Sequence, residues 1–298
     1  MKDFLTDAQF KHDIAFANRL LPYKLYQTQV KDGQPDILLH WHPEVEIQFI
    51  REGSARYHVN NAYFDSQPGD IILMSPHAIH SIHPHASTPH VTDTLQFHLD
   101  MLGYSHTDQT SLYYLTPLQQ AQVTFLPRIQ PQDPGYQAIK TCLFNIFDGI
   151  RKEDRHFELR LQGQLFELIY LLFYHRYVVK KDNDDMYRKS EKIRDIIDII
   201  HQHYQDKLTI DQLAQQMGYS KAHFMTVFKQ FTGVSCIEFI IQVRLQKSTE
   251  LLSNTLLSVL EIANQVGFTN LSNFNRQFKR YYHLSPSAYR NLQKAKKD

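Results

Sequence analysis

Between His40 and Gly53 the chain runs HWHPEVEIQFIREG. With a period of two, His40, His42, Glu44, Glu46 and Gln48 share one face, and Trp41, Val45, Ile47 and Phe49 share the other. A β-strand alternates its side chains in this way. Two imidazoles, two carboxylates and an amide on one side of a strand can bind a metal, hold a small polar ligand, or face water.

The chain that positions these groups has 298 residues, enough for two domains of ordinary size or one large one. Its composition is that of a soluble globular protein, and its formal net charge of +1 points to no partner. The start, MKDFLTDAQF, lacks the basic-then-apolar pattern of a signal peptide. The most apolar stretch, Leu165 to Tyr177, is interrupted by Glu167, His175 and Arg176. It falls short of the roughly 20 apolar residues that span a bilayer, so no membrane partner is expected. Two cysteines far apart, Cys142 and Cys236, suit a reducing compartment. The expected location is the cytoplasm.

Charge divides the chain. Residues 191–298 carry 14 Lys and Arg against 9 Asp and Glu, whereas residues 1–190 carry 18 against 22. A basic C-terminal third suits a nucleic-acid-binding module. The polar run 180–190 predicts a linker before it. From about residue 36 to 100, short alternating runs are separated by turn signals. A hairpin is expected at Asn60–Asn61, a turn at Gln67–Asp70, and a strand in TLQFHLD with Gln96 and His98 on one face. These runs predict a small β-barrel or sandwich. The spacing then becomes helical, at Ile139, Leu143, Ile146, Phe147 and Ile150, and again from about His156 to Tyr177. The second of these helices either packs on the barrel or makes a dimer contact.

The C-terminal third repeats itself. Thr209-x-x-Gln212 and Ser258-x-x-Glu261 are capping boxes, and each is followed by a glycine, Gly218 or Gly267, that ends a short helix. Ser220 and Thr269 are expected to begin second helices, anchored by Phe224 and Phe228 or by Phe274 and Phe278. Short helix, glycine turn and second helix make a helix-turn-helix. The two copies are separated by a long helix from Cys236 to about Ser253, and Ser285-Pro286 starts a last one. In the first copy, candidate DNA contacts are Ser220, Lys221, Ala222, His223, Met225, Thr226 and Lys229. In the second they are Asn270, Ser272, Asn273, Asn275, Arg276, Lys279 and Arg280. Arg pairs with guanine and Asn with adenine, while the later Lys and Arg residues suit phosphates.

With these motifs in place, residues 191–298 resemble the tandem helix-turn-helix domain of the AraC family of bacterial transcription regulators. The run VLEIANQVGFTNLSNFNRQFKRYYHLSPSAYR carries the resemblance over its full length, while Thr226 stands where the family usually has Arg. Family members often join this domain to a cupin-type barrel. Here His40-x-His42-x3-Glu46-x6-Gly53 resembles the first cupin motif and PGDIILMSPHAIH the second, with His80 in the histidine position. The resemblance implies an α+β, two-part chain. It has a cupin-like sensing domain (1–135), a helical dimerisation segment (136–179), a linker (180–190) and a DNA-binding domain (191–298).

It also implies a homodimer on a double-stranded DNA operator, with a small-molecule effector, a sugar, in the barrel. His40, His42, Glu44, Glu46, His80, Gln96 and His98 are the expected ligand contacts, and no catalytic residue is assigned. No cofactor is expected. The alternative is a divalent metal on His40, His42, Glu46 and His80, in a metal-dependent cupin enzyme or a metal-sensing regulator. Most of the histidine-rich run from His77 to His90 is expected to face solvent.

Overall fold

The computed structural model describes residues 22–30, 37–85, 89–153, 155–180 and 184–294. The expectations for the first ten residues fall outside them. The chain divides into two compact units, one made of 1–32 and 41–187, the other of 33–40 and 188–298.

The strands are β1 (Tyr23–Val30), β2 (Ile37–His40), β3 (Val45–Glu52), β4 (Ala55–Val59), β5 (Ala62–Asp65), β6 (Ile71–Met74), β7 (His80–Pro84), β8 (His90–Phe97), β9 (Val123–Phe125), β10 (Arg128–Ile129) and β11 (Val178–Lys180). The helices begin with the one-turn α1 (Thr116–Gln119), then α2 (Tyr136–Lys152) and α3 (Phe157–Tyr174). One sheet has the order β1-β8-β3-β6-β10, with every pairing antiparallel. In a second sheet β7, β4 and β5 are neighbours.

The expected turns form for the expected reasons. Asn60 takes a φ of 51° between the paired residues Val59 and Ala62. At Gln67–Asp70 the buried Asp70 carboxylate accepts from the Gln67 amide at 2.7 Å and from Arg128 Nε at 2.9 Å.

The first sheet is buried on both faces. Val45, Ile47, Phe49, Ile71, Leu73, Leu95 and Phe97 pack against Ile139, Leu143, Ile146 and Phe147 of α2 and Leu161, Leu165, Leu168 and Leu172 of α3. Both helices appear where the spacing predicts them. The opposite face of β3 carries Glu46 and Gln48, each 3% exposed, turned toward the second sheet. Two points differ from the sequence reading. The alternating run is not one strand, because Trp41 to Glu44 form a break between β2 and β3. Pro43, which has no amide proton for a ladder, sits inside that break. Most of the expected linker is also helical, since α4 runs Asp184–His203 and takes in 184–190. That run has no Gly or Pro to stop a helix. Ile193, Ile196, Ile197 and Ile200 give it a fully buried stripe.

The second unit continues with α5 (Ile210–Met217), α6 (Lys221–Thr232), α7 (Cys236–Asn254), α8 (Val259–Gln265), α9 (Leu271–Tyr282) and α10 (Pro286–Lys294). Both capping boxes are complete. In the first helix-turn-helix Leu213, Ala214, Met217, Phe224, Val227 and Phe228 are buried, and in the second Ile262, Ala263, Val266, Phe274 and Phe278 are. Phe239 of α7 meets Phe228, while Leu245 and Leu252 of α7 join the second core. Among the described residues no single helix is long and apolar enough to cross a membrane.

Gly218 and Gly267 both adopt positive φ, at 70° and 90°. A Cβ on Gly218 would meet nothing within 4 Å, whereas one on Gly267 would lie 2.7 Å from the Gln205 carbonyl oxygen. Gly218→Ala is expected to cost about 1–2 kcal/mol from the left-handed backbone alone. Gly267→Ala is expected to cost clearly more. Chemical denaturation of the two variants checks this, and equal losses would contradict it.

Candidate functional site

The polar face of β3 is the centre of a hydrogen-bonded chain. The antiparallel register sets Glu46 opposite Gln96 of β8. Gln96 Nε2 donates to Glu46 Oε2 at 2.5 Å, and Gln48 Nε2 donates to Glu46 Oε1 at 2.5 Å. His42 Nε2 approaches Glu46 Oε2 at 2.9 Å, and its Nδ1 lies 3.3 Å from Glu44 Oε2. Beyond Gln48 the chain crosses to the second sheet. Tyr57 of β4 donates its hydroxyl to Gln48 Oε1 at 2.6 Å, and His90 Nε2 lies 3.0 Å from the same hydroxyl.

Charge follows from these contacts. Burial opposes charge on His42, but the carboxylates of Glu44 and Glu46 outweigh it and push the imidazole up to about 9. Burial likewise pushes Glu46 up, but hydrogen bonding and charge from His42 hold it well below the usual carboxylate range. At neutral pH the pair is therefore an imidazolium between two carboxylates. A buried carboxylate needs this kind of satisfaction, because an unpaired one costs several kcal/mol. Tyr26, beside this chain, is raised well above the ordinary tyrosine value, by burial and then by Glu46 and Glu44.

The predicted metal set was His40, His42, Glu46 and His80. The rings of His42 and His80 meet edge-on at 5.1 Å, and His40 belongs to the other compact unit. Nδ1 of His80 is 2.9 Å from the Ala78 carbonyl, and Nδ1 of His40 is 2.8 Å from that of Leu38. A carbonyl can only accept, so each Nδ1 carries the proton, and His80, which burial keeps neutral, has its lone pair on Nε2. That is the tautomer a metal ligand needs. His42 differs, because it must lose a proton before it can ligate. The donor types fit a divalent ion, with His42 as the costly member.

The other expected ligand contacts separate. Glu44 sits in the break before β3 and reaches the chain through His42. His98 follows the end of β8 at Phe97 in extended backbone, its amide donating to the Pro22 carbonyl at 2.9 Å. Its Nδ1 accepts from the Asp100 amide at 3.2 Å and caps a short helical turn. The histidine-rich run is also less exposed than expected. His80 and His90 are each 1% exposed, because they lie on β7 and β8. Tyr57 and His90 are site residues that sequence reading missed. The sequence marks only a hairpin at Asn60–Asn61 here, and a hairpin names no polar partner for Tyr57.

The second candidate surface is on the second unit. Ser220 caps α6 by accepting from the His223 amide at 3.3 Å. The cap of α9 is Asn270, not the expected Thr269, and its Oδ1 accepts from the Asn273 amide at 3.0 Å. Lys221, Ala222, His223, Met225, Thr226 and Lys229 are exposed on α6, as are Ser272, Asn275, Arg276, Lys279 and Arg280 on α9. Asn273 is half-buried and accepts from Arg276 Nη2 at 2.9 Å.

His58 and His90 are buried neutral. Burial, first of all, pushes each imidazole down to about 4. A depressed histidine contributes stability that is present above its unfolded value near 6.5 and is lost as pH falls toward 4. Each is expected to withdraw up to roughly 1 kcal/mol per pH unit over that window. His58→Phe, which keeps the stack on Tyr63, is expected to flatten the acid loss seen in thermal melts between pH 6.5 and 4. An unchanged slope would contradict the assignment.

Two family models match the chain. The AraC-like ligand binding domain matches residues 34–169, and a helix-turn-helix domain matches residues 213–292. The HTH-type transcriptional regulator YdeC of Bacillus subtilis is 24% identical over 297 residues, covering 98% of this chain and 99% of that protein. The Msm operon regulatory protein of Streptococcus mutans is 32% identical over 133 residues, 45% of this chain and 48% of that one. A crystal structure of ToxT from Vibrio cholerae, bound to an unsaturated fatty acid, covers 90% of this chain and 95% of its own at 13% identity and a TM-score of 0.48. With a ligand-binding domain and a helix-turn-helix domain of this type in one chain, the protein belongs to the AraC family of transcription regulators.

Proposed function

We propose that this regulator binds a double-stranded DNA operator as a homodimer and responds to a small, polyhydroxylated effector, a sugar, held against the polar face of β3. Carbohydrate-utilisation genes are the corresponding target class. The observation that carries this reading is the continuous chain His42–Glu46–Gln48–Tyr57–His90, with Gln96 joined at Glu46. It places fixed donors and acceptors between the two sheets, with Tyr26 as an aromatic neighbour. Sugar recognition needs that combination of fixed polar groups and apolar stacking surface. An effector acts only by binding one state of the regulator more tightly than another. No residue is assigned a catalytic role.

The homodimer reading is supported by α3. Leu159, Phe166, Tyr170 and Tyr174 lie on one stripe of that helix and are 74%, 40%, 54% and 66% exposed. The opposite stripe is the one packed on the first sheet.

The metal-sensing alternative has its own support in the approach of His42 and His80 beside Glu46. A thermal-shift screen separates the two. The chelator-treated protein is melted with a panel of neutral sugars and, separately, with divalent metal salts. A binding ligand stabilises by RT ln(1 + [L]/Kd). A sugar that raises the melting temperature without metal is the expected result. A response to metal and to no sugar would overturn the sugar reading.

For the DNA surface, Arg276→Ala is expected to cost roughly 1–3 kcal/mol of binding and to relax specificity at one base position. The check compares affinities for the selected duplex and for one altered at that position. An unchanged ratio would contradict direct readout by Arg276.

A further inference from the structure

The two recognition helices are built alike and surfaced differently. Their anchors, Phe224 and Phe228 on α6 and Phe274 and Phe278 on α9, are offset by a constant 50 positions. The same offset matches their outward stripes. Ala222, Met225, Thr226 and Lys229 on α6 correspond to Ser272, Asn275, Arg276 and Lys279 on α9. Residues at these spacings share one helix face. On α9 the three positions before the lysine each carry a polar group for a base edge. On α6 they carry Ala222, which has none, Met225, which is 44% exposed, and Thr226.

The polarity of Thr226 is also partly spent. Its hydroxyl donates to the Ala222 carbonyl at 3.0 Å, one turn back in the same helix. Thr226 therefore meets a partner with its methyl group and with an oxygen that can only accept. The neighbouring polar groups on α6 are engaged as well. Lys221 Nζ lies 3.0 Å from Asp211, and the His223 ring meets that of Tyr219 at 4.5 Å.

We infer that α6 reads thymine by its 5-methyl group, with Met225, the Thr226 methyl and Ala222 forming the contact surface. In the major groove the thymine methyl is the one apolar group among the base edges, and Ala and the Thr methyl are suited to it. An exposed thioether beside them adds a flexible apolar surface. Hydrogen-bonded base readout then falls to α9, and Lys229 and Lys279 supply equivalent phosphate contacts. This inference rests on the DNA-binding reading of the two helices.

The test uses the full chain and a duplex that it enriches from a randomised DNA library. Each thymine of the enriched duplex is replaced singly by deoxyuridine, which lacks only the methyl. At one or more positions the wild-type affinity is expected to fall about fourfold, the equivalent of burying one methyl group. At those positions Met225→Ala and Thr226→Ser are expected to bind thymine and deoxyuridine equally. Thr226→Val, which keeps a methyl and loses the hydroxyl, and Arg276→Ala should retain the preference for thymine. If no deoxyuridine substitution weakens binding, or if Thr226→Val loses the preference as fully as Thr226→Ser, the inference fails while DNA binding stands. If no sequence is enriched, the reading of the helices as site-specific DNA binders fails with it.

Discussion

A carboxylate buried at the centre of a sheet is the constraint that organises the first unit. Glu46 is 3% exposed on a strand whose other face is packed against α2 and α3. Burying a charge there is tolerable only if its oxygens are filled by donors. Gln48, Gln96 and His42 fill them, from the same strand, from the neighbouring strand and from the break that precedes β3. The requirement fixes the register of β3 on β8. A slip of one residue would turn Glu46 toward Leu165 and Phe147 and place Ile47 among the polar groups. Through Gln48 and Tyr57 the same requirement reaches the second sheet, so one carboxylate ties both sheets together.

The chemistry of that centre is poised. His42 is held protonated by Glu44 and Glu46, while burial, first of all, pushes His80 down to about 4 and keeps it neutral. Two imidazoles 5.1 Å apart thus carry different charges at neutral pH. A neutral polyol can exchange hydrogen bonds with such a chain without changing any protonation state. A metal must first displace the proton from His42. This difference, more than the presence of suitable donor types, favours the sugar reading.

Much of the site was legible in the sequence, and the failures have physical causes. The alternation from Val45 to Phe49 marked the two faces of β3, because a period of two survives wherever one face is packed. It overran at Trp41 to Glu44, where alternation continues through a segment that Pro43 keeps out of the ladder. Tyr57 and His90 were missed because their role depends on a contact between sheets, which no local pattern encodes. The duplicated helix-turn-helix was legible almost throughout, as caps, glycines and phenylalanines are local signals. The exception at Asn270 reflects the one-residue insertion between Gly267 and the second helix. That insertion moved the cap from Thr269 to the next residue able to accept from an amide.

The central claim is that the polar face of β3 and the recognition helices belong to one thermodynamic system. Linkage requires that an effector which changes DNA affinity by some factor has its own affinity changed by the same factor when DNA is bound. The direct measurement is the Kd of the stabilising sugar, by calorimetry, for the full chain alone and for the chain saturated with its enriched duplex. The account predicts two different values, in the same ratio as the duplex Kd values measured without and with sugar. Equal sugar affinities in the two states would contradict it.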